Sequence, residues 1–163
     1  MGMFKSILVP IDLGVETSWK KVLPAAVEMA QQSGAKLHVM TVMPTFGMPV
    51  VNVNYFPDDF EEKALKEGGE ALAKLVAEQV PADVGAKSHV AHGTIYSEIL
   101  AAADKLGCDT IVLASHRPGM QDYLIGPNAA RVARHAKQSV FMIRDEPQTP
   151  AVPVVATMLS PTL

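Results

Sequence analysis

The sequence predicts an open α/β fold in which a five-stranded parallel sheet, ordered 3-2-1-4-5, carries helices on both faces. Apolar runs of strand length alternate along the chain with segments of helical periodicity. The runs at 4–11, 109–114 and 140–143 are almost continuously apolar, as in strands buried on both faces. Two parallel strands must be joined by a crossover connection, normally a right-handed helix, and the helical segments between the apolar runs supply these connections.

The composition predicts one soluble domain in the cytoplasm. The chain has 163 residues, 48% of them hydrophobic, and a net charge of −3. This charge argues against nucleic acid or a membrane surface as partner, since both require a basic face. No run of 18 apolar residues could span a membrane, and the single Cys108 suits a reducing compartment. We expect a domain over 1–144 and a Pro-rich tail over 145–163.

The first half of the chain predicts two strands and two helices. Strand one, 4–11, must stop pairing near Pro10, which has no N–H. Thr17 or Ser18 is a candidate cap for a helix that Gly34 ends, and Pro24 requires a later start or a kink. Strand two covers 36–42 and ends at Pro44, and a long loop follows over 45–57. Asp58 with Glu61 resembles a capping box for a helix to about Val80, interrupted by Gly68 and Gly69.

The second half predicts the remaining strands and helices. Strand three covers 86–92, and His89 and His92 must point to its opposite faces, so they cannot share a metal ion. A helix follows from Thr94 to Gly107, with Ile95, Ile99, Leu100 and Ala103 facing inward. Strand four covers 109–114. The last helix runs from Gly126 to about Lys137 with Ala129, Val132, Ala133 and Ala136 on its inner face, and strand five covers 140–143.

Polar residues follow strands one and four at their carboxyl ends. Asp12 comes directly after strand one, and Ser115, His116 and Arg117 follow strand four. In open α/β sheets ligands bind at this edge, and anions bind at the N terminus of the next helix, here Gly126. Taken alone, the same residues also suit an ordinary turn. The chain lacks the P-loop, the dinucleotide-binding glycine pattern, the nucleophile elbow and any metal-ligand spacing.

Several blocks of the chain together resemble the universal stress protein family over about Phe4 to Arg144. They are Ile7 to Asp12, the strand end at Thr41-Val42, Asp109 to His116, Ala129 to Ala136 and Ser139 to Arg144. The segments Ala114-Ser115-His116-Arg117-Pro118 and Tyr123-Leu124-Ile125-Gly126 are most similar to the F/G-type subgroup. The resemblance implies the adenine nucleotide alpha hydrolase-like fold.

The resemblance also implies a site for ATP or another adenine nucleotide, with Mg²⁺ as a possible companion. The family's ATP pattern, G-x2-G-x9-G-[ST], falls on Ala114, Arg117, Gly126 and Pro127, with a spacer of eight residues before Gly126. Adenine and ribose are expected near strands one, two and four, and the phosphates near the loop and the last helix. The expected binding residues are Pro10, Asp12, Val42, Leu113, Ala114, Ser115, His116, Arg117, Gly126, Pro127 and Asn128.

By resemblance, we expect a homodimer through Val140–Arg144 that acts as a cytoplasmic stress-response regulator or sensor. One alternative is a nucleotide-free interaction module of the same fold with an unknown protein partner. Another is a slow ATP hydrolase in which Asp12 or His116 assists water. No paired carboxylates and no nucleophile with a base accompany His116. We therefore assign no catalytic residue and expect at most weak ATPase activity.

Overall fold

A computed structural model describes residues 2–44, 59–115 and 126–144. Strands and helices alternate through these ranges. In chain order they are β1 (Ser6–Pro10), α1 (Val22–Ser33), β2 (Lys36–Pro44), α2 (Phe60–Gln79), β3 (Lys87–Gly93), α3 (Ile95–Lys105), β4 (Thr110–Ser115), α4 (Gly126–His135) and β5 (Ser139–Arg144). The predicted loop over 45–57, Asp58 of the predicted capping box and the tail over 145–163 lie outside the described residues.

The five strands form one sheet in the order β3-β2-β1-β4-β5, and each pair of neighbours is parallel. The predicted fold is confirmed. In the centre of the sheet, Leu8 of β1 lies opposite His38 of β2 on one side and Ile111 of β4 on the other. This central strand is completely buried, as its continuous apolar run predicts.

Each face of the sheet carries its own hydrophobic core because successive side chains of a strand point to opposite faces. One core joins Val9 and Val39 of the sheet to α1 and α2, for example through Leu23 and Leu72. The other core joins the remaining face to α3 and α4. Its largest buried side chains are those of Leu8, Met40, Ile99, Ile111 and Leu113. Helices therefore cover both faces. None of the described helices is long and apolar enough to cross a membrane.

The start of α1 corrects the predicted cap. Thr17 and Ser18 belong to a short 3₁₀ turn, Glu16–Ser18, and α1 begins only at Val22, with Lys21 before it and no side-chain cap. Pro24 therefore lies in the first turn of the helix, where its missing N–H leaves no bond unmade. Of the two alternatives that Pro24 allowed, the later start is the correct one. Gly34 ends the helix with φ of 67°, as predicted.

The later helices agree with the sequence in position and differ in detail. Asp59 precedes α2 without a side-chain cap, and Cβ atoms added to Gly68 and Gly69 would meet neighbours only at ordinary distances of 3.6 and 3.7 Å. Packing of α2 on the sheet therefore leaves room for a methyl group at both glycines. In α4, Ala129 is buried as predicted, but Ala133 is exposed, so that part of the predicted stripe is wrong.

Candidate functional site

The candidate site lies at the carboxyl edge of the sheet, between β1 and β4. The connection that leaves β1 packs through α1 on one face, whereas the connections that reach and leave β4 run through α3 and α4 on the other. The two neighbouring strands thus lead to opposite faces, which opens a crevice at their ends. This is the point at which the sequence predicts the ligand.

Apolar residues of three neighbouring strands, Pro10 of β1, Val42 of β2 and Leu113 of β4, lie toward this edge. Pro10 pairs with Met40 in the sheet and the Ile11 N–H still bonds to Met40, so Asp12 comes directly after the last bond of this strand to β2. Leu113 is completely buried and shares its core with Val42, on the face covered by α3 and α4. These side chains form an apolar floor beneath the edge. Ala114 packs into the opposite core, so only its backbone lies toward this side.

Asp12 lies just beyond β1, half-buried, and holds a tight turn. Its Oδ1 accepts a hydrogen bond from the Gly14 N–H at 2.9 Å, and its carbonyl accepts one from the Val15 N–H at 3.2 Å. The turn interpretation of Asp12 is therefore correct for one carboxylate oxygen. The other oxygen, Oδ2, has no hydrogen-bond partner among the residues that the structure describes, so it remains able to accept a bond from a ligand.

Ser115 and the start of α4 complete the described part of the site. Ser115 is the last residue of β4 and is half-buried. Helix α4 begins at Gly126, with Pro127 and the half-buried Asn128 in its first turn. The first N–H groups of a helix have no partner within it and attract anions. His116 and Arg117, predicted at the phosphates, lie outside the described residues.

Ser18 is a member of the site's framework that the sequence misassigned to a helix cap. Its side chain is buried, with 2% of the residue exposed. The hydroxyl donates a hydrogen bond to the Asp12 carbonyl at 2.8 Å and accepts one from the Asp12 N–H at 2.9 Å. A serine six residues after Asp12 carries no sequence signal for such a bond, because the bond depends on the path of the loop.

Two contacts join the helices around the same edge. His92, at the end of β3, pairs through Nδ1 with Oε1 of Glu61 in α2 at 2.8 Å. On the other face the Arg131 guanidinium of α4 lies 5.4 Å from the centre of the Tyr96 ring of α3. Such a cation–π contact between exposed groups contributes about 0.5–1 kcal/mol. The first contact holds the start of α2 against β3 and the second joins α3 to α4, and neither was predicted.

A separate histidine pair lies nearer the amino ends of the strands, away from this edge. His38 of β2 and His89 of β3 face each other, with Nδ1 of His38 2.9 Å from Nε2 of His89. Burial lowers the pKa of both imidazoles, and nearby positive charge lowers it further. Because His92 turns to α2 instead, the prediction that His89 and His92 occupy opposite faces is confirmed.

The structural comparisons define the class of the fold. The hypothetical protein MJ0577 matches with a TM-score of 0.70 at 21% identity, over 90% of this chain and 99% of that one. A universal stress protein in complex with cAMP matches with a TM-score of 0.53 at 23% identity, over 86% and 97% of the two chains. The Archaeoglobus fulgidus universal stress protein in complex with dAMP gives 0.53 at 21%, over 86% and 98%. The chain therefore has the adenine nucleotide alpha hydrolase-like fold.

The sequence comparisons define the family. The Universal stress protein family matches residues 3–144. Universal stress protein G of Shigella flexneri is 31% identical over 145 residues, which is 87% of this chain and 100% of that protein. This chain belongs to the universal stress protein family, and the family expected from the sequence is confirmed.

Proposed function

We propose that this chain binds an adenine nucleotide at the carboxyl edge of the sheet and acts in the cytoplasm as a dimeric stress-response regulator or sensor. The observation that carries the proposal is the edge between β1 and β4, where the connections of the two strands lead to opposite faces of the sheet. There Asp12, one of whose carboxylate oxygens has no hydrogen-bond partner among the described residues, directly follows β1, and the apolar Val42 and Leu113 lie near the ends of the neighbouring strands β2 and β4. A flat apolar base and a polar sugar need such a combination of apolar floor and fixed acceptor.

The distribution of polar groups supports a nucleotide rather than an uncharged ligand. The N terminus of α4, where the helix dipole is positive, favours phosphate oxygens. We assign the phosphates to Ser115, His116 and Arg117 of the loop and to Gly126, Pro127 and Asn128 of the helix, and the nucleoside to Pro10, Asp12, Val42, Leu113 and Ala114. Two proteins of the same fold were solved with cAMP and with dAMP, which supports an adenine nucleotide as the ligand class.

Release of bound nucleotide tests this proposal. The freshly purified protein is denatured, and the supernatant is separated by ion-exchange chromatography to identify ATP, ADP or AMP. Protein stripped of ligand is then titrated with ATP and with adenosine by calorimetry, with and without Mg²⁺. We expect an adenine nucleotide in the supernatant or saturable binding in the titration. Protein that releases none and binds neither ligand would contradict the proposal.

The dimer belongs to the same proposal, and the exposed edge of β5 supports it. Phe141 and Met142 are 38% and 39% exposed on this strand, which pairs on one side with β4. The Ser139 N–H bonds to Asp109 just before β4, and N–H directions alternate along a strand, so the N–H of Met142 points away from β4. Among the described residues no strand pairs with β5 on that side. Such an apolar edge invites a second strand, and a two-fold copy of β5 would supply it.

The same edge favours the second candidate function, a nucleotide-free module that works by protein contact. In that case β5 or the helix faces would bind a different protein, and the carboxyl edge would hold no ligand. Protein that carries no nucleotide, binds neither ATP nor adenosine and still forms a defined complex would favour this function over the first.

A further inference from the structure

Ser18 holds the residue on which the proposed nucleoside contact depends. The chain leaves the sheet after Ile11, whose N–H still bonds to Met40 of β2 at 2.8 Å. The next residue, Asp12, has no strand partner for its N–H. The Ser18 hydroxyl supplies it, and the same oxygen donates its proton to the Asp12 carbonyl. One buried hydroxyl thus satisfies both backbone groups of Asp12.

This arrangement restricts the Asp12 carboxylate as well as its backbone. With the backbone held by Ser18, the side chain reaches the Gly14 N–H, and that bond occupies Oδ1. The bond to the Gly14 N–H thereby restricts both side-chain torsions of Asp12, χ1 and χ2, inside the loop before any ligand arrives. Oδ2 is then presented in one orientation at the end of β1. A preorganised acceptor binds more tightly than a mobile one, because its conformational freedom is already lost.

We propose that Ser18 is a positioning residue of the nucleotide site, which raises affinity for the nucleoside by holding Asp12 in its binding orientation. The inference rests on the proposed function, since it assumes that Asp12 contacts the nucleoside. Ser18 itself does not touch the ligand: its one hydroxyl is fully used within the loop, and the residue is buried beneath the turn.

A double-mutant cycle tests this role. Ser18→Ala, Asp12→Ala and the double variant are titrated with adenosine by calorimetry, and thermal unfolding verifies that each is folded at the titration temperature. Loss of both hydrogen bonds should weaken adenosine binding by about tenfold in the parent background. In the Asp12→Ala background the Ser18 substitution should weaken it no further, because the group that Ser18 positions is gone.

Thr17→Ala is the matched control. Thr17 carries a neighbouring hydroxyl in the same 3₁₀ turn but is exposed. Its removal should leave adenosine affinity at the parent value. Should Ser18→Ala fail to fold, Ser18→Cys replaces it, since the thiol has nearly the same shape and bonds more weakly, and the same non-additivity is expected.

The outcomes separate this proposal from the proposed function. Parent affinity in Ser18→Ala, or an equal loss in both backgrounds, would overturn the positioning role and leave the nucleotide site intact. A loss that follows the drop in melting temperature across all variants would overturn it as well, because it would reflect stability alone. A parent protein that binds no adenosine or ATP would overturn the proposed function and the positioning role together.

Discussion

Protonation of the His38–His89 pair should weaken folding as the pH falls below 6.5. His38 is only 7% exposed, and its ring lies 5.1 Å from that of His89. A hydrogen bond between Nδ1 of His38 and Nε2 of His89 requires one nitrogen to donate and the other to accept, so at least one ring is neutral. If both rings were protonated, the N–H groups on Nδ1 of His38 and Nε2 of His89 would point at each other, and the hydrogen bond would be lost.

Among the residues that the structure describes, positive rather than negative side chains surround the pair. Lys36 from β2, Lys87 from β3 and Lys105 from α3 all lie close enough to oppose protonation. For both imidazoles, loss of solvation by burial is the main cause of the lowered pKa, and these charges add to it. The positive charge of a protonated His89 lowers the pKa of His38 further. The folded state therefore prefers both rings neutral.

The sign of the effect follows from these directions. Above the ordinary pKa of 6.5 the pair is neutral in folded and unfolded chains, and its contribution to stability is complete. Between 6.5 and the lower folded-state values the unfolded chain binds more protons, so stability is lost as the pH falls. One extra proton in the unfolded chain changes the free energy of unfolding by about 1.4 kcal/mol per pH unit, and two protons by about 2.7 kcal/mol.

Urea denaturation between pH 7.5 and 5 measures this slope. The variant His38→Gln/His89→Gln, whose amides do not titrate, should show a clearly flatter dependence than the parent, whatever its stability at pH 7.5. His135→Gln, which removes an exposed histidine from the end of α4, is the control and should keep the parent slope. Equal slopes in the parent and the double variant would refute the reasoning.

Three further predictions concern α2, the phosphates and β5. Gly69→Ala should stabilise the protein by up to about 1 kcal/mol in urea denaturation, because alanine favours the helix and its Cβ would meet Val90 at an ordinary 3.7 Å. Gly34→Ala should destabilise it by about 1 kcal/mol, because residue 34 has a φ of 67°. The reverse order of stability would contradict this. Arg117→Ala should weaken ATP about 10- to 100-fold in calorimetry and leave adenosine unchanged, because only ATP has phosphates for the guanidinium; an equal loss for both would contradict the assignment. Met142→Pro should dissociate the proposed dimer in sedimentation without removing a β4–β5 bond, and Met142→Val should retain it; a dimer unchanged by proline would exclude this edge.

The sequence determined most of the fold because local patterns reflect it directly. Continuous apolar runs show which strands are buried on both faces, and Gly34 marks the end of α1. These signals involve residues close together in the chain. The same holds for the position of the candidate site, since Asp12 and Ser115 each come at the end of an apolar run, and the parallel alternation places both strand ends on one side.

Only the tertiary structure decided which distant or loop residues meet. Ser18 bonds to Asp12 rather than capping a helix, and His38 meets His89 across 51 positions of sequence. Nothing local distinguishes these residues from solvent-exposed ones of the same type. Their partners come from the register of β2 on β3 and from the path of the chain after β1, and both are set by the packing of whole strands and helices rather than by neighbouring residues.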